Sequence, residues 1–71
     1  MNHVEKMFRQ IEELTNFEDK VGIEGQSNLG YEVTVHYWGP NGMTHFHSNA
    51  RTMSEAVDRA YKTRMKMRKK E

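Results

Sequence analysis

YEVTVHYWGPNG, residues 31–42, is the most informative stretch of this chain. Over its first eight positions, tyrosine and valine alternate with other residues, which is the period-two pattern of a β-strand. The Gly39-Pro40-Asn41-Gly42 segment that follows predicts a tight turn. Residues 43–50 then return as a partner strand, so the stretch predicts an antiparallel hairpin.

The length of the hairpin loop determines which side chains share a face of the sheet. A three-residue loop would pair Gly39 with Met43 and place two histidines beside the valines of the first strand. A two- or four-residue loop would place Phe46 there instead. Burial of Phe46 contributes roughly 1.5–3 kcal/mol relative to its exposure, so we expect the second register. That register gathers five side chains on the opposite face: His36, Trp38, Met43, His45 and His47.

Two further elements precede the hairpin. Apolar residues recur every three or four positions from Val4 to Leu14, which predicts an amphipathic helix. Asn2 is the expected N-cap of this helix, with Glu5 in a capping-box position. A short edge strand is expected at Lys20–Glu24, followed by a loop over residues 25–30.

The last helix is predicted to begin at a second capping box, Thr52 to Glu55. Its apolar stripe runs from Met53 to Tyr61 and then fails, because Arg64 and Arg68 occupy the next stripe positions. We therefore predict that residues 62–71 form a basic helical arm, which projects into solvent and can fray.

These elements predict a single α+β domain over residues 1–71, with the order αβββα and both helices on one face of a small antiparallel sheet. The chain has 71 residues and no cysteine, so neither a disulfide nor a Cys-based zinc site can supplement a small core. Self-association is therefore a reasonable expectation. A mean hydropathy of −0.98 leads us to expect no membrane span and a cytoplasmic location.

The element order and the length resemble those of the double-stranded-RNA-binding domain. The stretch from Tyr31 to Ala60 carries this resemblance. That family places basic residues at the start of its last helix, however, and Ser54, Glu55 and Asp58 stand there in this chain. The resemblance is therefore one of element order and assigns no family.

The basic arm is the strongest functional candidate in the sequence. From Arg59 to Lys70 there are seven basic residues and no acidic one. Such a run attracts a polyanion and binds phosphates without reading bases, although many charge runs only keep a helix solvated. Met65 and Met67 would equally suit an acidic protein groove. The candidate binding residues of the arm are Lys62, Arg64, Lys66, Arg68, Lys69 and Lys70.

The ring-rich face of the hairpin is the second candidate. Trp38, Met43 and His36 resemble an interface hot spot, and the rings could also stack unpaired bases. Alternatively, Trp38 packs against a loop or against the segment of residues 25–30. Together, His36, His45 and His47 could supply the protein ligands of a zinc site. No acidic residue at matching spacing completes or orients it, although Glu32 lies further along the same face. We therefore predict no resident metal or cofactor.

Catalytic motifs are missing from the sequence. There is no cysteine nucleophile, the serines lack a nucleophile motif, and the glycines match no phosphate-binding loop. Acidic residues such as Glu18 and Asp19 are interpreted as surface charges. We therefore expect a non-catalytic module that binds nucleic acid or a nucleic-acid-handling protein. The competing hypothesis is an accessory protein of the kind that phages direct at host proteins, as an inhibitor or adaptor. A histidine-based zinc protein is a minor third hypothesis.

Overall fold

The computed structural model describes residues 2–26 and 28–70, which form two helices and a three-stranded sheet. Along the chain the elements are α1 (His3–Asn16), β1 (Lys20–Gln26), β2 (Gly30–Gly39), β3 (Gly42–Ala50) and α2 (Met53–Lys69). The strands are antiparallel, in the order β1-β2-β3. The predicted α+β fold of order αβββα is therefore confirmed. Met1, Ser27 and Glu71 lie outside the described residues, so the predicted loop at 25–30 and arm at 62–71 are described only in part.

The hairpin register is the one that buries Phe46. Val35 pairs with Phe46, Trp38 with Met43 and Gly39 with Gly42, so the loop consists of Pro40 and Asn41. Gly42 has a φ of 112°, which residues with a side chain rarely adopt. The prediction of this register is confirmed, and the partly buried Phe46 packs against the hydrophobic core. β1 is longer than expected and continues to Gln26.

The hydrophobic core lies between the sheet and the two helices. Its largest fully buried side chains are Leu14, Val33, Val35 and Val57. Helix α2 packs over β2 and β3, whereas α1 packs beside α2 and over β1. Both helices therefore lie on one face of the sheet, the inner face. In the described part of the chain, no helix covers the opposite face, which we call the outer face.

Both helices begin where the sequence predicts. The Asn2 side chain accepts a hydrogen bond from the backbone N–H of Glu5 at 2.8 Å. The Thr52 hydroxyl accepts one from the backbone N–H of Glu55 at 3.2 Å. Each N-cap satisfies a backbone donor that the first helical turn leaves without an intrahelical partner. Neither of the two described helices is long and apolar enough to cross a membrane.

Helix α1 buries only part of the apolar stripe predicted for it. Met7 and Leu14 are buried, whereas Phe8 is 61% exposed and Val4 is exposed as well. The reason is that α1 lies at the rim of the helix layer. In the described chain it has α2 on one side and no element on the other. An apolar strip of α1 therefore faces solvent.

Candidate binding surfaces

The outer face brings together all five side chains that the sequence assigned to it. Trp38 lies opposite Met43, His36 opposite His45, and Thr34 opposite His47. Side chains of paired residues in an antiparallel sheet point to the same face. The predicted grouping of the tryptophan, the methionine and the three histidines is therefore confirmed.

Trp38 and Met43 form the apolar end of this face, beside the turn. Trp38 is 63% exposed and Met43 is 46% exposed. The described residues of the 25–30 segment lie at the other end of β2, where Gln26 of β1 pairs with Gly30. The alternative in which Trp38 packs against that segment is therefore wrong. A large apolar pair exposed on an uncovered sheet face is typical of a contact site.

His45 contacts both of the other histidines, His36 and His47, along the middle of the outer face. The ring centroids of His36 and His45 are 5.2 Å apart, and those of His45 and His47 are 5.1 Å apart. The Nδ1 atom of His47 lies 2.9 Å from the Thr34 hydroxyl and 3.7 Å from a Glu32 carboxylate oxygen. Among the described residues, no group of three His, Cys, Asp or Glu side chains is arranged to hold a metal ion. The geometry therefore does not support the three-histidine zinc site.

Arg64 does not project into solvent as the sequence analysis predicted. It is 5% exposed, and its Nε atom donates to an Asp19 carboxylate oxygen at 2.8 Å. The guanidinium carbon also lies 4.4 Å from the centroid of the Tyr37 ring. The prediction failed because it treated a charged residue at a stripe position as the end of the stripe. Here the position continues the stripe, with an ion pair in place of an apolar contact.

The end of α1 explains how Asp19 reaches Arg64. The N–H of Asp19 donates to the Leu14 carbonyl and that of Glu18 to the Thr15 carbonyl, which is the hydrogen-bond pattern of a Schellman motif. In this motif the residue after the C-cap takes a left-handed conformation, and Glu18 has a φ of 70°. The reversal turns Asp19 inward, where it is 4% exposed. Its interpretation as a surface charge is therefore wrong.

Arg68 also turns toward the body of the domain. Its guanidinium carbon lies 3.3 Å from the centroid of the Phe17 ring, which sits at the C-cap of α1. Met65, one turn earlier, packs against the hydrophobic core. The helix therefore stays attached to the domain through Arg68, and we call Arg64 and Arg68 its arginine side.

The lysines of the same segment face away from the sheet. We call these exposed residues the lysine side of α2: Lys62, Lys66, Lys69 and Lys70. Because α2 lies on the inner face, the lysine side and the Trp38–Met43 pair are on opposite sides of the sheet. The structure therefore separates the binding candidates into two surfaces, and the buried Arg64 belongs to neither.

Asp58 joins the two helices at the border of the lysine side. Its carboxylate accepts a hydrogen bond from the Gln10 side chain at 2.8 Å and lies 2.9 Å from the Lys62 ammonium and 3.5 Å from that of Lys6. The Gln10 hydrogen bond and the two ammonium groups hold the pKa of Asp58 below its ordinary value. This network ties α1 to α2, so Lys62 is partly engaged within the domain.

None of the side-chain contacts between α2 and the N-terminal half of the chain was predicted, and two of them involve residues outside the Asp58 network and the Arg68–Phe17 contact. The Tyr61 hydroxyl donates to the Glu13 carboxylate, and this hydrogen bond raises the pKa of Tyr61. The other contact is the Asp19–Arg64 pair. The one sequence signal for that pair was an arginine at the spacing of the apolar stripe.

Comparison with known proteins assigns no relationship to this chain. No family model matches it, and neither a curated protein nor a solved structure matches it.

Proposed function

We propose that this chain is a non-catalytic binding module that recognises another protein through its outer face. The observation that carries the proposal is the exposure of Trp38 beside Met43 on a face that no helix of the described chain covers. Tryptophan is the residue type most enriched in interface hot spots, and methionine adapts to irregular partner surfaces. An inhibitor or adaptor directed at a single protein would use such a surface in the same way.

The charge of the outer face favours a protein over a polyanion. Lys20 contributes one positive charge on this face, and Glu24 and Glu32 contribute two negative charges, which gives −1 with the histidines neutral. A face of this sign repels phosphates, so base stacking on Trp38 lacks the electrostatic support that single-stranded nucleic-acid sites have.

Partner capture tests the proposal. Tagged protein is incubated with a nuclease-treated lysate of the source cells, and a recovered partner is then titrated against purified variants. We expect Trp38→Ala to weaken binding by roughly 30-fold or more, since truncation of a hot-spot residue costs about 2 kcal/mol or more.

Phe8→Ala is the matched control for Trp38→Ala. Phe8 is an aromatic residue of similar exposure, but it lies on α1 and away from the outer face. We expect it to leave the affinity unchanged. A partner that tolerates Trp38→Ala and is lost with Phe8→Ala would contradict the proposal.

A second candidate function is non-specific nucleic-acid binding by the lysine side. The observation that favours it is the exposure of Lys66, Lys69 and Lys70 on one side of α2. Each phosphate contact made by a lysine releases counterions, so the affinity should fall steeply as salt is raised. The test is the anisotropy of a labelled oligonucleotide over a salt series, with the triple variant in which these lysines become glutamine. An affinity that the triple variant leaves unchanged would exclude this function, and Trp38→Ala is the control.

A further inference from the structure

One edge of β1 is open for pairing with a further strand. β1 is an edge strand of seven residues, and in the described chain only β2 pairs with it. The other edge strand, β3, is partly occupied, because Arg59 donates to the carbonyl oxygen of Asn49 at 2.9 Å. An edge strand of this length presents unpaired backbone groups that favour addition of another strand.

The exposed strip of α1 lies beside this edge. Gln10 of α1 contacts Asp58 of α2, which fixes the side of α1 that faces α2. At 100° per residue, Val4 and Phe8 fall on the opposite side of α1, and α1 itself lies over β1. The apolar strip is therefore above the β1 edge. Ile23, on the inner face of β1, is also exposed there.

We propose that a second copy of this chain pairs with the β1 edge and forms a dimer with a continuous six-stranded sheet. The two copies of β1 run antiparallel about a two-fold axis at Gly22. Gly22 of one copy therefore faces Gly22 of the other, and residues equally far before and after Gly22 face each other. This axis makes the interface isologous and closed. A Cβ on Gly22 would meet nothing within 4 Å in the single chain. The outer face of the sheet therefore has open space at the position of the axis.

The charges of β1 select this register. With Gly22 at the axis, Lys20 of each copy faces Glu24 of the other on the outer face. Within one chain, Glu24 is paired across the sheet with Glu32, and Lys20 with His36. Like charges directly opposite one another destabilise a sheet, and Glu32 of β2 gives Glu24 no positive charge to offset its own. The second copy supplies that charge.

The apolar residues of β1 agree with the same register. Val21 of each copy faces Ile23 of the other on the inner face, and Ile23 is thereby covered. Phe8 and Val4 of the two copies approach each other above the axis. The dimer therefore buries the exposed apolar side chains at this rim and leaves the outer face around Trp38 open.

A charge-swap series measured by sedimentation equilibrium tests the dimer. We expect wild-type protein to associate to twice the chain mass with rising concentration. Lys20→Glu and Glu24→Lys should each raise the dissociation constant roughly tenfold or more, because each places two like-charged pairs across the axis. The double variant K20E/E24K restores both pairs with inverted sign and should return the dissociation constant close to the wild-type value.

Two controls make the result specific. Lys66→Glu changes the net charge by the same amount as Lys20→Glu but on α2, and Trp38→Ala alters the outer face; neither should affect association. Phe8→Asp, at an exposed position, should weaken the dimer. A monomer at every accessible concentration overturns the proposal. So does a double variant that associates no better than the single ones, or a dimer that Trp38→Ala disrupts.

Discussion

The arginine side and the lysine side of α2 are both positively charged, but the arginines pack against the domain and the lysines are exposed to solvent. Arg64 is buried between Asp19 and Tyr37, and Arg68 lies on Phe17. The lysines one or two positions away are exposed. A planar guanidinium can stack on rings and bind a carboxylate along its edge, whereas an ammonium keeps its hydration more strongly. The comparison teaches that the position relative to the apolar stripe, and the residue type, decide which cations belong to the core.

The largest expected effect is on the arginine side. Arg64→Ala leaves the Asp19 carboxylate buried without its partner, so we expect the free energy of unfolding to fall by about 3–5 kcal/mol. Lys66→Ala, two positions away, should change it by less than about 0.5 kcal/mol. Urea unfolding followed by circular dichroism measures both.

A double-mutant cycle separates the ion pair from the packing of the arginine stem. Asp19→Asn combined with Arg64→Met should be less destabilising than the sum of the single variants, because no charge is then left buried alone. Equal losses for Arg64→Ala and Lys66→Ala would remove the distinction between the two sides.

Arg68→Ala is expected to have an intermediate effect. It removes the contact with the Phe17 ring at a half-buried position, for which we expect a loss of about 1 kcal/mol in the free energy of unfolding. Lys69→Ala is the neighbouring control on the lysine side and should be close to neutral. Thermal unfolding by circular dichroism is the measurement, and an Arg68→Ala variant as stable as Lys69→Ala would place Arg68 outside the core.

Glu18→Gly tests the turn that positions Asp19, the acidic partner of Arg64. Glu18 has a φ of 70°, which glycine adopts without the steric cost of a Cβ. We expect a stabilisation of about 0.5–1 kcal/mol with the Asp19–Arg64 pair intact. A loss of stability would mean that the Glu18 side chain itself supports the turn.

Asp58 should give the smallest effect, which is visible as a pH dependence. Its folded-state pKa lies below the ordinary value of 3.8, so its contribution to stability is complete above that pH and is lost as the pH falls through the folded-state value. Asp58→Asn should therefore flatten the acid limb of a stability–pH curve. The check is urea unfolding at a series of acidic pH values, where an unchanged limb would contradict the assignment.

Local patterns predicted much of this fold. Alternation and the cost of exposing Phe46 gave the hairpin and its register, and the capping boxes at Asn2 and Thr52 gave the helix starts. The grouping on the outer face followed from the register alone. These features depend on residues close in the sequence, or on one strong burial preference.

The Asp19–Arg64 pair could not be predicted in this way. It joins residues 45 positions apart and depends on the left-handed turn at Glu18, which places Asp19 inward. The same holds for the opposite placement of the two candidate surfaces, because it depends on which face of the sheet both helices cover. The exposure of Phe8 likewise depends on the absence of a flanking element beside α1 in the described chain.

The exposure of Trp38 has a practical consequence for spectroscopy. It is the only tryptophan in the chain, and its indole is solvated in the folded domain. Its emission should therefore change little when the domain unfolds, and fluorescence will be a poor probe of stability. The same property makes it a site-specific reporter with almost no background: an emission shift to shorter wavelength on mixing would come from a partner that covers the outer face.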